Sequence, residues 1–521
     1  MQQLNSKLIK SGFKFPRGVT VGKVADQPEK VIQFGEGNFL RAFVDWMINK
    51  AVKQGLFEGK VVVVQPIQDG MVGTLNEQGG LYTVWLRGME KGKLAQKRDV
   101  ITCVSRGINP YTDWQAFLNC ATNPEMRFMI SNTTEVGISY TAEGRPVDKC
   151  PTSFPAKVTA FLHERYKWFE GADGRGMVII PCELINRNGE RLKKLVLRYA
   201  SEWELGSGFT DWIEKSNHFL NTLVDRIVTG YPKEEAQELT AKLGYQDRLL
   251  DTGEVFHLWV IEGDKRFADE FPVTQAGCNV LWTNDVQPYR TRKVRILNGA
   301  HTMTSLAAYL CGKNLVREFM EDKILLAYLK RGVFDEILPT LDLPEEEKTE
   351  FAEAVLERFQ NPFIQHNLLS ISVNSVTKFR IRLLPSLVEH VNRKHQLPRV
   401  VAFSLAALVA FYRGTELKDG RLQGSRDGEA YPIEDEMPVL EFFAKAWKQF
   451  DKCGDLDCLC LSVLNHQSFW GFRLEEVEGL FETVKEDLSL ILEKGMAGAV
   501  KALIAKTGKP IPSNRFIRLA A

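Results

Sequence analysis

The chain carries almost no net charge, with 67 Lys and Arg against 66 Asp and Glu leaving +1 over 521 residues. So weak a field excludes a global attraction to nucleic acid or to an anionic membrane, and an anionic ligand has to be met by local groups. Long hydrophobic runs are missing too. The stretch from Met1 to Lys14 is polar with scattered lysines, so neither a secretory signal nor a membrane-spanning helix is expected, and a cytoplasmic location is. Cysteines are few, odd in number and irregularly spaced; these nine do not read as a disulfide framework, and free thiols are the expectation. Their one cluster, Cys453, Cys458 and Cys460, lacks a paired C-x2-C, and His466 does not complete a zinc set, so buried thiols in a helical region are expected and no metal. Internal repeats and low-complexity stretches are absent as well.

What is present divides in two. The length exceeds what one core usually serves, so at least two domains are expected. Lys30 to Phe34 is short, apolar and β-prone, Gly35-Glu-Gly37 breaks it, and a helical pattern begins at Phe39. Strand, glycine turn and helix are the context in which a G-x-G matters: Gly35 permits the tight turn, Gly37 lets backbone approach a pyrophosphate, and the helix start supplies N–H donors. Leu40 stands where a third glycine is usual. Val61 to Val64 is an unbroken β-branched run of the kind buried on both faces of a parallel sheet, and Arg127 to Ser131 and Gly176 to Pro181 read as further core strands. Leu81 to Leu86 and Asp99 to Val104 read as an insertion or an antiparallel edge, and Val255 to Ile261 and Asn279 to Trp282 as the last strands.

After Asp285 to Arg290 the pattern shifts to a 3.6-residue period, over Leu306 to Leu310, Ile324 to Ile337, Lys348 to Phe359, Val400 to Tyr412, Leu440 to Phe450 and Val477 to Leu492. The fold class is α/β, with a doubly wound, Rossmann-like domain with insertions over residues 1–287 and an all-helical domain over 288–521. Gly414 to Tyr431, with its glycines and mixed charge, is expected to be a mobile surface loop.

Chemistry concentrates in Lys293-Val-Arg-Ile-Leu-Asn298-Gly-Ala-His301. At about 100° per residue of α-helix, His301 lies about 80° and Asn298 about 140° from Lys293, so all three can face one cleft. A lysine there can trade a proton with a substrate oxygen, an asparagine amide can donate to an oxygen that becomes negative, and a histidine can hold a neighbouring hydroxyl. The plainer alternative is a helix start with a solvated Lys293 and a satisfied His301. At the end of the second strand, Gln65 stands where an NAD enzyme usually carries an acid for the adenosine ribose, and no arginine follows to welcome a 2′-phosphate, which favours NAD. Thr133 and Glu135, in the polar exit of the 127–131 strand, lie where such a sheet meets the nicotinamide ribose.

Lys-x4-Asn-x2-His followed by an apolar helix resembles the catalytic segment of the polyol-specific long-chain dehydrogenases, the mannitol dehydrogenase family. Val31 to Phe43, Ile180 to Gly189 and Thr222 to Pro232 are similar to that family in its order, so the resemblance runs over nearly the whole chain. Within it, Asn38 to Trp46, Ser131 to Glu135 and Leu297 to Thr302 resemble most the branch acting on keto-uronates. The resemblance implies an NAD-dependent, metal-independent oxidoreductase with Lys293 as acid-base, Asn298 and Asn188 as the oxyanion pair, and His301 as substrate ligand. It extends the cofactor cradle from Gly35 and Gly37 to Ile32, Phe34, Asn38, Phe39 and Arg41. Arg41 is open to two roles, phosphate contact or a pair within the fold. Polyol-oxidising relatives tend to carry Asp at position 366 and an arginine near 370; His366 and Ser370 replace them here. A uronate carboxylate then calls for cations or strong donors such as His366, Lys378 and Arg380. The expected partner is a small-molecule sugar acid, with no nucleic acid and no membrane, on a monomer or small homo-oligomer. Three rivals stay open: a fructuronate reductase or hexitol dehydrogenase of the same family, a zinc-dependent epimerase or hydrolase, and an interaction module on an inactive Rossmann domain.

Overall fold

Runs of β-branched residues organise the first of two units, Met1–Val286, in the computed structural model of the chain, which describes residues 1–506 apart from 23, 25 and 135 and the side chain of 415. Six parallel strands, β1 (Glu29–Phe34), β2 (Lys60–Val64), β3 (Val104–Ile108), β4 (Phe128–Ser131), β5 (Val178–Pro181) and β6 (His218–Phe219), form one sheet. Their spatial order is 3-2-1-4-5-6, the doubly wound arrangement, with its reversal between β1 and β4. Alternate residues serve two cores: Val31, Val61 and Val63 pack with Phe43, Met47 and Trp259, while Ile32, Phe34, Val62 and Val64 pack with Phe117, Phe154 and Phe161. A strand covered on both faces needs an apolar residue at every position, which is why β2 reads as four valines.

The Asp99 to Val104 stretch is not one strand. Lys93–Ile101 pairs antiparallel with Tyr82–Glu90 in a separate five-stranded sheet, turned by Lys91 and Gly92 at φ 54° and 73°, and Val104 opens β3. As an edge strand, β3 buries only its ends, Val104 and Ile108, so it carries no continuous apolar run to announce it. Asn221–Asp225, Leu258–Glu262 and Val280–Thr283 form a third, three-stranded sheet of their own.

The second unit starts at Gln287 and is built around two almost wholly buried helices, Gly299–Leu310 and Arg399–Phe411, which pack on each other; the latter also packs on Leu480–Ala505. It is helical but not wholly so. Gly414–Lys418, Arg421–Arg426 and Glu429–Ile433 form an antiparallel meander where a mobile loop was expected. Its two turns are Asp419-Gly420 (φ 50° and 73°) and Asp427-Gly428 (φ 54° and 83°). Asp-Gly with both residues at positive φ is the tight hairpin connection, and Leu422, Tyr431 and Ile433 tie the meander down by burial. All nine cysteines are free thiols; Cys460 is buried as expected, but Cys453 and Cys458 are exposed, because they sit at a helix end and in a helix first turn.

Candidate active site

The lysine segment lies within a helix that begins six residues earlier. Gln287–Arg292 is α-helical, Lys293–Asn298 forms a π-helical turn, and Gly299–Leu310 returns to α-helix, with Gly299 N–H donating five residues back to Val294 O. Lys293 is therefore not a helix start, and a π turn advances less per residue than an α turn, so the angles expected for a plain helix do not carry over. Single π turns inside α-helices frequently mark functional sites, because the widened turn re-aims side chains and leaves ladder groups unmatched. Lys293 and Asn298, its first and last residues, are both half-buried.

His301 follows one turn on, and it is not satisfied. The residue is 8% exposed, and its Nε2 is buried without a hydrogen-bond partner. The ring stacks on Phe359 at 4.2 Å and meets His366 edge-on at 4.9 Å. Burial, followed by the charges of His366, Arg358, Arg382 and Lys378, pushes its pKa well below the usual histidine value, so the ring is neutral. His366 is lowered too, by burial and then by Lys378. Lys378 donates to Ile371 O at 2.8 Å, and burial with the Arg382 charge brings it down to about 8 against the opposing pull of Asp435. Arg380 is not in this cluster: it is exposed and donates to Ser468 O, because a step of two residues turns it to the far side of helix Ser375–Arg382 from Lys378. Arg382, four residues after Lys378, shares its face and donates to Thr302 Oγ1 at 3.2 Å. Sequence reasoning missed Arg382, though helical periodicity alone could have chosen it over Arg380.

In the first unit, Gly35 adopts φ +122°, closed to side chains, and a Cβ there would come within 3.0 Å of Asn132 O. A Cβ at Gly37 would meet nothing within 4 Å, so open space lies before the helix that begins at Asn38. That combination suits a pyrophosphate drawn against backbone N–H groups. Leu40 is buried, and the next turn, Arg41–Asp45, is π-helical, which accommodates the bulk where a third glycine is usual. Ile32 and Phe34 are wholly buried in the core of the sheet, while Phe39 stacks on Phe43.

Several of the candidate cofactor and oxyanion residues hydrogen-bond within the chain. Arg41 is 3% exposed and donates to Glu36 O, Leu249 O and Asn38 Oδ1, with Asp251 3.6 Å away, so of its two open roles the structure shows the pair within the fold. Gln65 is buried and donates to Ile67 O and Gln68 O, which holds the loop after β2 rather than a ribose. Asn188 is 0% exposed: its Nδ2 donates to Pro181 O, Glu183 O and Thr222 Oγ1, and its Oδ1 accepts from Gly189 N and Thr222 N. Both amide hydrogens have acceptors there, and Asn188 fastens the β5 exit to strand Asn221–Asp225. Thr133 donates through N and Oγ1 to the buried Glu183, whose pKa is raised by burial. Glu135 lies outside the described residues.

Beyond the ends of β2 and β3 a cavity of about 610 Å³ is lined by Asp69, Arg106 and Asp113 among other residues. Arg106 is bound through Nε and Nη2 to Glu29, and Asp113 caps the helix that follows it. Asp69, four residues after Gln65, is an exposed carboxylate of this lining, beyond the β2 end.

The mannitol dehydrogenase Rossmann domain family matches residues 29–275, and the mannitol dehydrogenase C-terminal domain family matches residues 285–492. An altronate oxidoreductase of Halalkalibacterium halodurans is 44% identical over 511 residues, 98% of this chain and 98% of that protein. One from Escherichia coli O6:K15:H31 is 46% identical over 481 residues, covering 92% of this chain and 98% of its own. Among solved structures, substrate-free D-sorbitol dehydrogenase aligns with a TM-score of 0.78 at 23% identity, over 96% of this chain and all of that one. Pseudomonas fluorescens mannitol 2-dehydrogenase, in a ternary complex with NAD and D-mannitol, aligns at 0.66 and 20% identity, over 97% and 100% of the two chains.

Proposed function

Because the chain belongs to the mannitol dehydrogenase family, we propose that it is an NAD-dependent oxidoreductase interconverting tagaturonate and altronate. The observation that carries the reading is a lysine-asparagine-histidine helix beside a cluster of cations, in a chain 44% identical to an altronate oxidoreductase over nearly its full length. The substrate is a small molecule, and among the described residues no helix is long and apolar enough to cross a membrane. We read the enzyme as cytoplasmic, with its cofactor domain ending near residue 287.

NAD suits the residues present. Gly35, Gly37 and the N–H groups from Asn38 onward would hold the pyrophosphate, and Asp69 the adenosine ribose. The cavity's arginine, Arg106, is paired with Glu29 while Asp69 and Asp113 add carboxylates to the lining, which favours NAD over NADP. When bound as NADH, the cofactor supplies the hydride that reduces the keto carbon. Lys293 gives its proton to the carbonyl oxygen and regains one from solvent. Asn298 donates to that oxygen as negative charge grows on it, and His301 turns its unpartnered Nε2 to an adjacent hydroxyl. The lysine and asparagine thereby perform the polarisation that zinc performs in other alcohol dehydrogenases.

The test is NADH consumption with purified protein against tagaturonate, fructuronate, fructose and fructose 6-phosphate. Tagaturonate is expected to give the highest kcat/KM; a clear preference for any other member of the panel overturns the reading.

A further inference from the structure

We propose that Arg382 is the carboxylate receptor of this site, the residue that makes it select a sugar acid over a neutral sugar. The assignment rests on reading the protein as a keto-uronate reductase. Arg382 closes helix Ser375–Arg382, which packs on the catalytic helix, and is tied to that helix by a hydrogen bond. Its Nη1 donates to Thr302 Oγ1 at 3.2 Å, one residue past His301, and its carbonyl oxygen would lie 3.5 Å from a Cβ at Gly299, one residue past Asn298. The guanidinium is therefore oriented on the turn that carries the reacting groups, and its charge is one of those that depress His301.

Arg382 is also unbalanced. Among the described residues no carboxylate lies within ion-pair distance of it, and Thr302 is its one hydrogen-bond acceptor. A guanidinium offers five N–H donors; Thr302 takes one, and none of the others is buried without a partner, so they stay open to solvent or to an anion that displaces it. Burial lowers its hold on the proton. Lys378, on the same face, spends a donor on Ile371 O and presents a point charge, whereas the arginine fork matches both oxygens of a carboxylate. A neutral sugar would leave Arg382 as it stands, with a half-buried charge unanswered, and that difference is the selectivity.

The experiment uses full-length protein and steady-state NADH oxidation with tagaturonate, fructose and fructose 6-phosphate, for the wild type, Arg382→Gln, Arg382→Lys and Thr302→Val. In Arg382→Gln the ratio of kcat/KM for the acid over that for fructose is expected to fall roughly 10²-fold, chiefly through KM for the acid, and Arg382→Lys is expected to recover part of it. Thr302→Val, which keeps the shape and removes the orienting hydroxyl, should raise KM for the acid several-fold, and it keeps the assignment testable if Arg382→Gln does not fold. A wild-type preference for the acid that survives in Arg382→Gln, or losses equal for acid and fructose, overturns the assignment alone. A wild type that does not prefer the acid to fructose overturns the underlying reading and this assignment with it. A wild type that prefers fructose 6-phosphate, with the preference lost in Arg382→Gln, identifies a phosphate receptor instead.

Discussion

Two sets of candidate site residues, one in each unit, are in opposite conditions. In the loops and helix starts after strands β1, β2 and β5 of the first unit, Arg41, Gln65, Glu183 and Asn188 are buried and hydrogen-bond to their own chain. Around the π turn of the second, His301 Nε2 has no partner, and Arg382 has one acceptor and no anion. Satisfied groups hold shape, and groups left open can take a ligand; a buried atom without a partner, such as His301 Nε2, costs about 1–3 kcal/mol until something pairs with it. The contrast teaches where chemistry is to be sought: buried, fully bonded side chains near a cofactor loop are scaffold, however suggestive their motif.

The sharpest way to break the comparison is to treat each side as if it were the other. Lys293→Ala should lower turnover by roughly 10²-fold to 10⁴-fold while NADH affinity, measured by fluorescence titration, stays close to the wild type. Near-normal turnover would return Lys293 to the scaffold. Asn188→Ala should do the reverse: the chain loses stability, by about 3 kcal/mol from several orphaned buried partners, read as a lower melting temperature, and the folded fraction keeps most of its turnover. A large loss of kcat with no change in melting would restore Asn188 as an oxyanion donor.

Smaller effects sharpen the boundary. Asp69→Ser should shift the ratio of kcat/KM for NADH over NADPH toward NADPH by about 10-fold, since it removes the carboxylate that would hold the ribose and repel a 2′-phosphate. The same substitution at Gln65 should act on stability more than on cofactor choice, because Gln65 holds its own loop. The mildest effect concerns pH. Burial first, and then the Arg382 charge, hold Lys378 down to about 8, so its ammonium is present below that pH and is lost as pH rises through it. KM for tagaturonate should therefore climb several-fold between roughly pH 7 and 9, and KM for fructose should not. A flat profile for both would remove Lys378 from carboxylate binding.

Some of this was legible without a fold, and the two Asp-Gly turns of the meander show that more could have been. The pairs Asp419-Gly420 and Asp427-Gly428, one short strand apart, are a hairpin signal that a loop reading of Gly414 to Tyr431 passed over in favour of glycine content. The edge strand β3 was less accessible: with Ser105, Arg106 and Gly107 between its buried ends it lacks the apolar run by which β2 declares itself. The π turn was not readable at all, since a fixed period was assumed for the helix that contains it.

By itself the sequence determined the family, the doubly wound sheet and the glycine turn, and it put lysine, asparagine and histidine together on one helix. These are local matters, set by strand and helix periodicity and by φ at single residues. Only the tertiary structure decided which polar groups are free. Arg41 is satisfied by a carbonyl 208 residues away and Asn188 by a hydroxyl 34 residues away, while Arg382 reaches its one acceptor across 80. A side chain's availability depends on which long-range partners the fold brings within about 3 Å of it, and a motif carries no record of those partners.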